Sequence, residues 1–134
     1  MNVRGKELLR LRPKYYVVDM AFKQLLLPDI NRDRGHVLEN VVYLELRRRG
    51  YTVYVGQLTK GEIDFVAQKP GGILEYYQVS ESVLDPTTRD RELAPLEAVK
   101  DQYPKFLLTM DELYKSHNYN GIQQCNVLDW LLGL

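Results

Sequence analysis

The sequence predicts an α/β domain, a mixed central sheet flanked by helices, and three observations carry that prediction. Val37, Leu38, Val41, Val42, Leu44 and Leu46 recur at roughly three- and four-residue spacing, the signature of an amphipathic helix. Three β-prone runs then follow in close succession between Tyr51 and Val79, separated by glycine-containing turns. A second helical stretch leads into the short apolar run Lys105-Phe106-Leu107-Leu108-Thr109, the order expected of a strand, a crossover helix and a neighbouring strand.

The elements are justified in chain order as follows. Arg4, Lys6, Arg10, Arg12 and Lys14 make the opening basic, and a stretch of this kind reads as solvated chain. Pro13 stops a helix from running through it, so a short strand is expected over 15–18, a short helix over 20–27 ending before Pro28, and a charged loop over 29–35. The amphipathic helix is expected over 36–49, with Gly50 at its C-cap and Arg47, Arg48 and Arg49 against the negative end of its dipole. Those arginines serve either as solvated helix-end charges or as an anion site.

A strand over 51–55 and a turn over 56–61 come next, then a hairpin of strands 62–67 and 73–79 around Pro70-Gly71-Gly72. A three-residue loop there sets Lys69 opposite Ile73, Asp64 opposite Gln78 and Glu62 opposite Ser80, and directly opposed residues share a face. Residues 81–86 form a polar exit loop, Thr87 is the expected cap of a helix to about Gln102, and Pro95 is that helix's weak point. A last strand over 121–125 precedes a terminal helix capped by Asn126.

Size and charge narrow the function classes. A chain of 134 residues suits one core, and 45% hydrophobic with 27% charged residues is globular composition, so the chain should fold. Eighteen basic residues balance eighteen acidic ones, so no global field draws the protein to nucleic acid or an anionic membrane, and such binding needs a local patch. One cysteine, Cys125, excludes an internal disulfide and a paired-thiolate metal site, and it reads as a buried small hydrophobe. No apolar run approaches the ~20 residues of a membrane span and no signal-like stretch opens the chain, so a cytoplasmic protein with no membrane partner is expected.

Three oxygen-bearing side chains stand out. Glu39 lies on the first helix, Asp64 on the second strand of the sheet run and Gln78 on the third. Two carboxylates and an amide oxygen on one face suit a hard cation such as Mg²⁺, although carboxylates without a bound phosphate hold it weakly. The same residues have plainer readings, Asp64 as the polar side of an alternating strand and Glu39 as an exposed helix position. His36 and His117 lack a spaced second ligand, and the ten tyrosines fit sheet packing before base stacking.

A helix glutamate, the strand Glu62-Ile63-Asp64-Phe65-Val66, and a strand ending in Gln78-Val79-Ser80 together resemble the PD-(D/E)XK core of restriction endonucleases and Holliday-junction resolvases. The resemblance implies a restriction-endonuclease-like fold. It places Asp64 at the metal-binding aspartate, Gln78 at the glutamate or glutamine, Glu39 at the first-helix glutamate, and Ser80 where the family has its lysine. Asp64, Gln78 and Ser80 are thus the catalytic candidates, as remnants, and Glu39 and Asp64 the metal candidates. A hydroxyl at Ser80 supplies no positive charge to a scissile phosphate.

Longer stretches, among them PKYYVVDMAF, RGHVLENVVYLELRRRGYTVYVG, GEIDFVA and GIQQCNVLDWLL, resemble the C-terminal domain of a large family of prokaryotic AAA-type ATPases. No G-x-x-x-x-G-K-[ST] loop occurs, so ATP belongs to an ATPase module outside these residues and no cofactor is expected in this chain beyond weak Mg²⁺. Residues 1–35 are then a connecting segment and 36–134 the restriction-endonuclease-like domain. The resemblance implies an accessory domain whose partners are the ATPase module and either nucleic acid or another protein. An active metal-dependent nuclease, with Lys60 or Lys69 taking the lysine's role, is one alternative. A structural domain that makes a homo-oligomer of the ATPase is another.

Overall fold

The structure, a computed structural model, describes residues 9–13 and 34–134. Its elements are β1 (Arg10–Pro13), α1 (Arg34–Arg48), β2 (Thr52–Leu58), β3 (Gly61–Gln68), β4 (Leu74–Val79), α2 (Pro86–Ala98), β5 (Lys105–Thr109), β6 (His117–Tyr119), β7 (Ile122–Asn126) and α3 (Val127–Leu132). The expected strand over 15–18 and helix over 20–27 lie outside the described residues. The strands form one seven-stranded sheet in the order β1-β2-β3-β4-β5-β7-β6. It is mixed, as the sequence predicts: β1 to β4 pair antiparallel, β4-β5 and β5-β7 pair parallel, and β6 returns antiparallel on β7.

Alternation along the strands sends side chains to two cores, one on each face. Val42, Tyr43 and Leu46 of α1, with Val127 and Trp130 of α3, pack on Val53, Phe65, Ala67, Tyr77, Val79 and Leu108. Leu93 and Leu96 of α2 pack on Ile63, Val66, Tyr76, Leu107 and Ile122 across the sheet. A crossover helix over one face therefore links the parallel neighbours β4 and β5, and the remaining helices cover the other.

The basic end of α1 is built as a helix terminus tied to α3. Arg48 and Arg49 both donate to the Glu45 carboxylate, and the Arg49 guanidinium lies 4.3 Å from the Trp130 ring centroid while its Nη2 donates to Trp130 O. The hydrogen bond from Arg48, helped by Arg49 against partial burial, holds the Glu45 carboxyl down at about 2. Of the two readings of these arginines, the helix-end one describes Arg48 and Arg49.

Several expectations need correction. Part of the opening stretch is not solvated linker, because Arg10–Pro13 forms an edge strand on β2. β2 runs through Gly56 to Leu58, where a turn was expected. Asp85, and not Thr87, caps α2, with Pro86 in the first turn, where a missing N–H costs nothing. The helix ends at Ala98, short of Gln102, and tolerates Pro95 within its last turn. β6 was not foreseen, although Asn120 and Gly121, both at positive φ (54° and 97°), make the two-residue turn that joins it to β7.

Gly56 marks an irregularity that positions the site. Tyr54 pairs with Val66 and Gly56 with Ile63, so the register shifts between them. A Cβ at Gly56 would lie 2.9 Å from Val66 Cγ2 and 3.1 Å from Ile63 Cβ, so only a residue without a side chain lets β3 approach at the bulge. Gly56→Ala should destabilise the domain by about 1–3 kcal/mol, the usual cost of overpacking a filled core. Urea unfolding followed by tyrosine and tryptophan fluorescence checks this, with a shifted midpoint expected and an unchanged slope.

Candidate functional site

The start of β3 and the end of β4 lie at one end of the sheet because the two strands are antiparallel. Their pairing runs from Gln68↔Leu74 to Phe65↔Tyr77, the register expected from the Pro70-Gly71-Gly72 loop, and Lys69 N–H reaches Ile73 O at 2.8 Å. Beyond Phe65 and Tyr77, side chains take over from the main-chain ladder. Asp64 N–H donates to Gln78 Oε1 at 2.7 Å, and Val79 N–H donates to Asp64 Oδ2 at 2.9 Å. Gln78 Nε2 donates to Glu62 O at 3.3 Å and to Glu92 O, on α2, at 3.1 Å. Gln78 is buried, so these bonds satisfy an amide that would be costly to leave unpaired.

The structure brings Asp64 and Gln78 together, but by interlocking rather than by the simple sharing of a face. Ile63 packs in the core beneath α2 and Phe65 in the core beneath α1, so the alternation breaks at the bulge and Asp64 lies between them. Ser80 continues the parallel ladder through its N–H to Leu108 O, while its hydroxyl donates to Ser82 O at 2.9 Å, within its own loop. The Ser80 hydroxyl is therefore bonded within the loop.

Glu39 lies on α1, the helix that covers the Phe65 face of the sheet. Tyr43 packs on Phe65 with ring centroids 6.3 Å apart, and Glu39 is one turn nearer the helix start. Its charge is felt by Glu92 of α2. Burial pushes the Glu92 carboxyl above the usual carboxylate range, Arg91 opposes that, and the like charge of Glu39 adds to it. The sequence does not single out Glu92. The signal for it is tertiary, since only the packing of α2 on β3 and β4 brings it to this end.

Among the described residues, no group of three or more His, Cys, Asp or Glu is arranged to hold a metal ion. Lys69 lies at the far end of β3, bound to Glu75 Oε2 at 2.9 Å, about five residues or ~16 Å of strand from Asp64. It is not placed to serve there. Lys60 is exposed in the turn between β2 and β3, and His36 and His117 are exposed too.

The loop after β4 has a second anchor that the sequence did not disclose. Asp111, buried at the end of β5, accepts from Val83 N–H at 2.9 Å, and Met110 N–H donates to Glu81 O. Asn126 Nδ2 donates to Asp111 O, and its own Oδ1 caps α3. A separate cleft of about 430 Å³, lined in part by Leu96, Lys100, Asp101, Lys105 and Ile122, shares no lining residue with the candidate site.

A curated relative from Haemophilus influenzae, described as an uncharacterized protein, is 38% identical over 131 residues, covering 98% of this chain and 32% of the relative. The chain thus spans about a third of the length of the curated relative it matches. No family model matches the chain, and no solved structure matches it. No helix among the described residues is long and apolar enough to cross a membrane.

The elevated Glu92 carboxyl has a stability consequence with a definite sign. A carboxyl whose folded-state pKa is raised contributes stability that is fully present below the unfolded pKa and lost as pH rises through the folded one. Glu92→Gln should therefore raise the melting temperature at about pH 7 and leave it unchanged near about pH 3. Thermal unfolding of both proteins across that range checks the prediction.

Proposed function

We propose that the domain is a C-terminal accessory part of a larger ATP-binding protein, with a restriction-endonuclease-like core used for binding nucleic acid or a protein rather than for cleavage. The observation that carries this reading is the set of partners of Gln78 and Ser80. At Gln78, the amide oxygen and nitrogen both bond to main chain, and the Ser80 hydroxyl bonds within its own loop. With Asp64 Oδ2 accepting from Val79 N–H, all three positions that the resemblance makes catalytic thus make bonds that serve the fold. The order of one helix, three antiparallel strands, a crossover helix and a parallel strand supports the core assignment. The relative's greater length supports the larger protein.

A metal-dependent nuclease is the second reading, and one observation favours it. Burial and, to a lesser degree, the like charge of Glu39 push the Glu92 carboxyl up, and carboxylates near one another would favour a divalent cation. Phosphodiester cleavage also needs a group that stabilises the developing charge, and losing one such group commonly costs about 10²–10³ in rate. Ser80 cannot provide it.

The two readings separate on single-stranded, duplex and branched DNA and RNA in Mg²⁺ and in Mn²⁺. We expect the chain and its Asp64→Ala variant to show the same background cleavage. Turnover present in the chain and lost in the variant makes the domain an enzyme. Binding without cleavage, weakening steeply with salt, identifies a phosphate-contacting surface. Absence of both cleavage and nucleic-acid binding leaves a protein partner.

A further inference from the structure

Strand β1 sets two arginines side by side on one face of the sheet. Pro13 pairs with Tyr54 and Leu11 with Gly56, and both partners look toward the core beneath α2: Tyr54 packs there, and a Cβ on Gly56 would meet Val66 and Ile63 of that core. Leu9 packs in the same core. Strand alternation therefore turns Arg10 and Arg12 to the opposite face, the one on which α1 packs. Both residues are exposed. Register then carries each arginine into a cross-strand row. Arg10 lies opposite Gln57, which lies opposite Glu62, and Arg12 lies opposite Val55, which faces the bulge of Asp64 and Phe65. Arg12 is thus two strand spacings, about 10 Å, from Asp64.

Neither arginine makes an ion pair among the described residues, whereas Arg48, Arg49, Lys69 and Lys105 each hold a carboxylate. Charged side chains on an edge strand guard it against pairing with another sheet, and either sign of charge meets that need. Phosphate recognition needs the positive one. Alternate residues of a strand stand about 6.8 Å apart, close to the step between neighbouring phosphates of an extended nucleic-acid strand, and each guanidinium presents a fork that fits phosphate oxygens. The surroundings are polar: Gln57 adds an amide, and half-buried Val55 is the apolar member of the rows, whereas the centre of a protein interface is apolar and poor in charge. Glu62, exposed at the far end of the Arg10 row, repels phosphate, so a bound strand runs along β1 and not across the sheet.

We propose that Arg10 and Arg12 are phosphate contacts for single-stranded nucleic acid lying along β1. The proposal rests on the accessory-domain reading above and selects nucleic acid as the partner. Zero net charge leaves no global field to draw in a polyanion, so binding needs a local patch of this kind. Contact of this sort requires neither a metal ion nor a cation at Ser80, and it is compatible with Asp64 and Gln78 being bonded within the fold.

Fluorescence anisotropy of labelled single-stranded DNA and RNA, titrated with the whole 134-residue chain at low and rising salt, tests this. We expect binding whose log K falls linearly with log salt. Arg10→Gln combined with Arg12→Gln should weaken it several-fold at low salt and make that slope shallower by about 0.7 for each arginine. Lys100→Gln with Lys115→Gln removes the same charge on the β5 side of the sheet and should leave the slope nearly unchanged, so equal losses in the two pairs, or none in either, overturn the proposal. Arg10→Glu with Arg12→Glu keeps the edge charged, and we expect it to abolish binding while the protein stays monomeric with its melting temperature retained. Self-association or a lower melting temperature there, with DNA binding by the glutamine pair unchanged, makes the arginines guards of the edge and overturns the proposal. Polyglutamate that binds where DNA and RNA do not, and is lost with the same substitutions, makes an acidic protein the occupant and also overturns it. Absence of nucleic-acid binding by the unaltered chain at low salt removes the nucleic-acid reading above together with the proposal, whereas binding indifferent to both arginines removes the proposal alone.

Discussion

Where β3 and β4 stop pairing through their main chains, Asp64 and Gln78 continue the seam with their side chains. Each accepts a main-chain N–H of the opposite strand, from Val79 and from Asp64 itself. The bulge beside Gly56, where Asp64 and Phe65 together lie opposite Val55, makes this necessary, because it breaks the alternation of β3 between Ile63 and Phe65. Buried N–H groups at the end of a ladder are expensive to leave unpaired, so a polar residue is required at these positions before any chemistry is considered. Gln78 extends the seam to α2 through Glu92 O and thereby joins the sheet to the crossover helix.

The neighbouring seams use the same device. At the end of β5, Asp111 accepts from Val83 N–H, and Asn126 bonds Asp111 O while capping α3. Strand ends β4, β5 and β7 are thereby held in register by buried polar side chains, while apolar packing fills the layers above and below. A sheet built in this way carries carboxylates at one end for structural reasons. That is why acidic residues at this end do not by themselves define a metal centre, and why the partners of each oxygen decide the reading.

Much of the architecture was legible in the sequence. The spacing of Val42 and Leu46 gave away α1, and the Pro70-Gly71-Gly72 turn yielded the β3-β4 register residue for residue, because hairpin loop length determines pairing. The bulge was not legible, since Gly56 reads as a turn signal unless Val66 and Ile63 are known to press on it. Asp85 caps α2 where Thr87 is the expected cap, because Asp followed by Pro is an equally good helix start. Strand β6 was hidden because His117 and Asn118 have little β-propensity, and the Asn120-Gly121 turn alone announces it. At the site, sequence paired Asp64 with Gln78 correctly but could not show that the amide is spent on main chain, nor bring in Glu92, because both depend on α2 packing.

The central claim is that Asp64 and Gln78 close the β3-β4 seam, and amide hydrogen exchange at single-residue resolution tests it most directly. The account predicts that the N–H groups of Asp64 and Val79 exchange as slowly as those in the centre of β4 and that both become fast in Gln78→Leu and Asp64→Ala, respectively, while the Tyr76 N–H stays protected. Exchange of the Asp64 and Val79 amides at loop-like rates in the unaltered protein would contradict it, and would leave both side chains free to face a ligand.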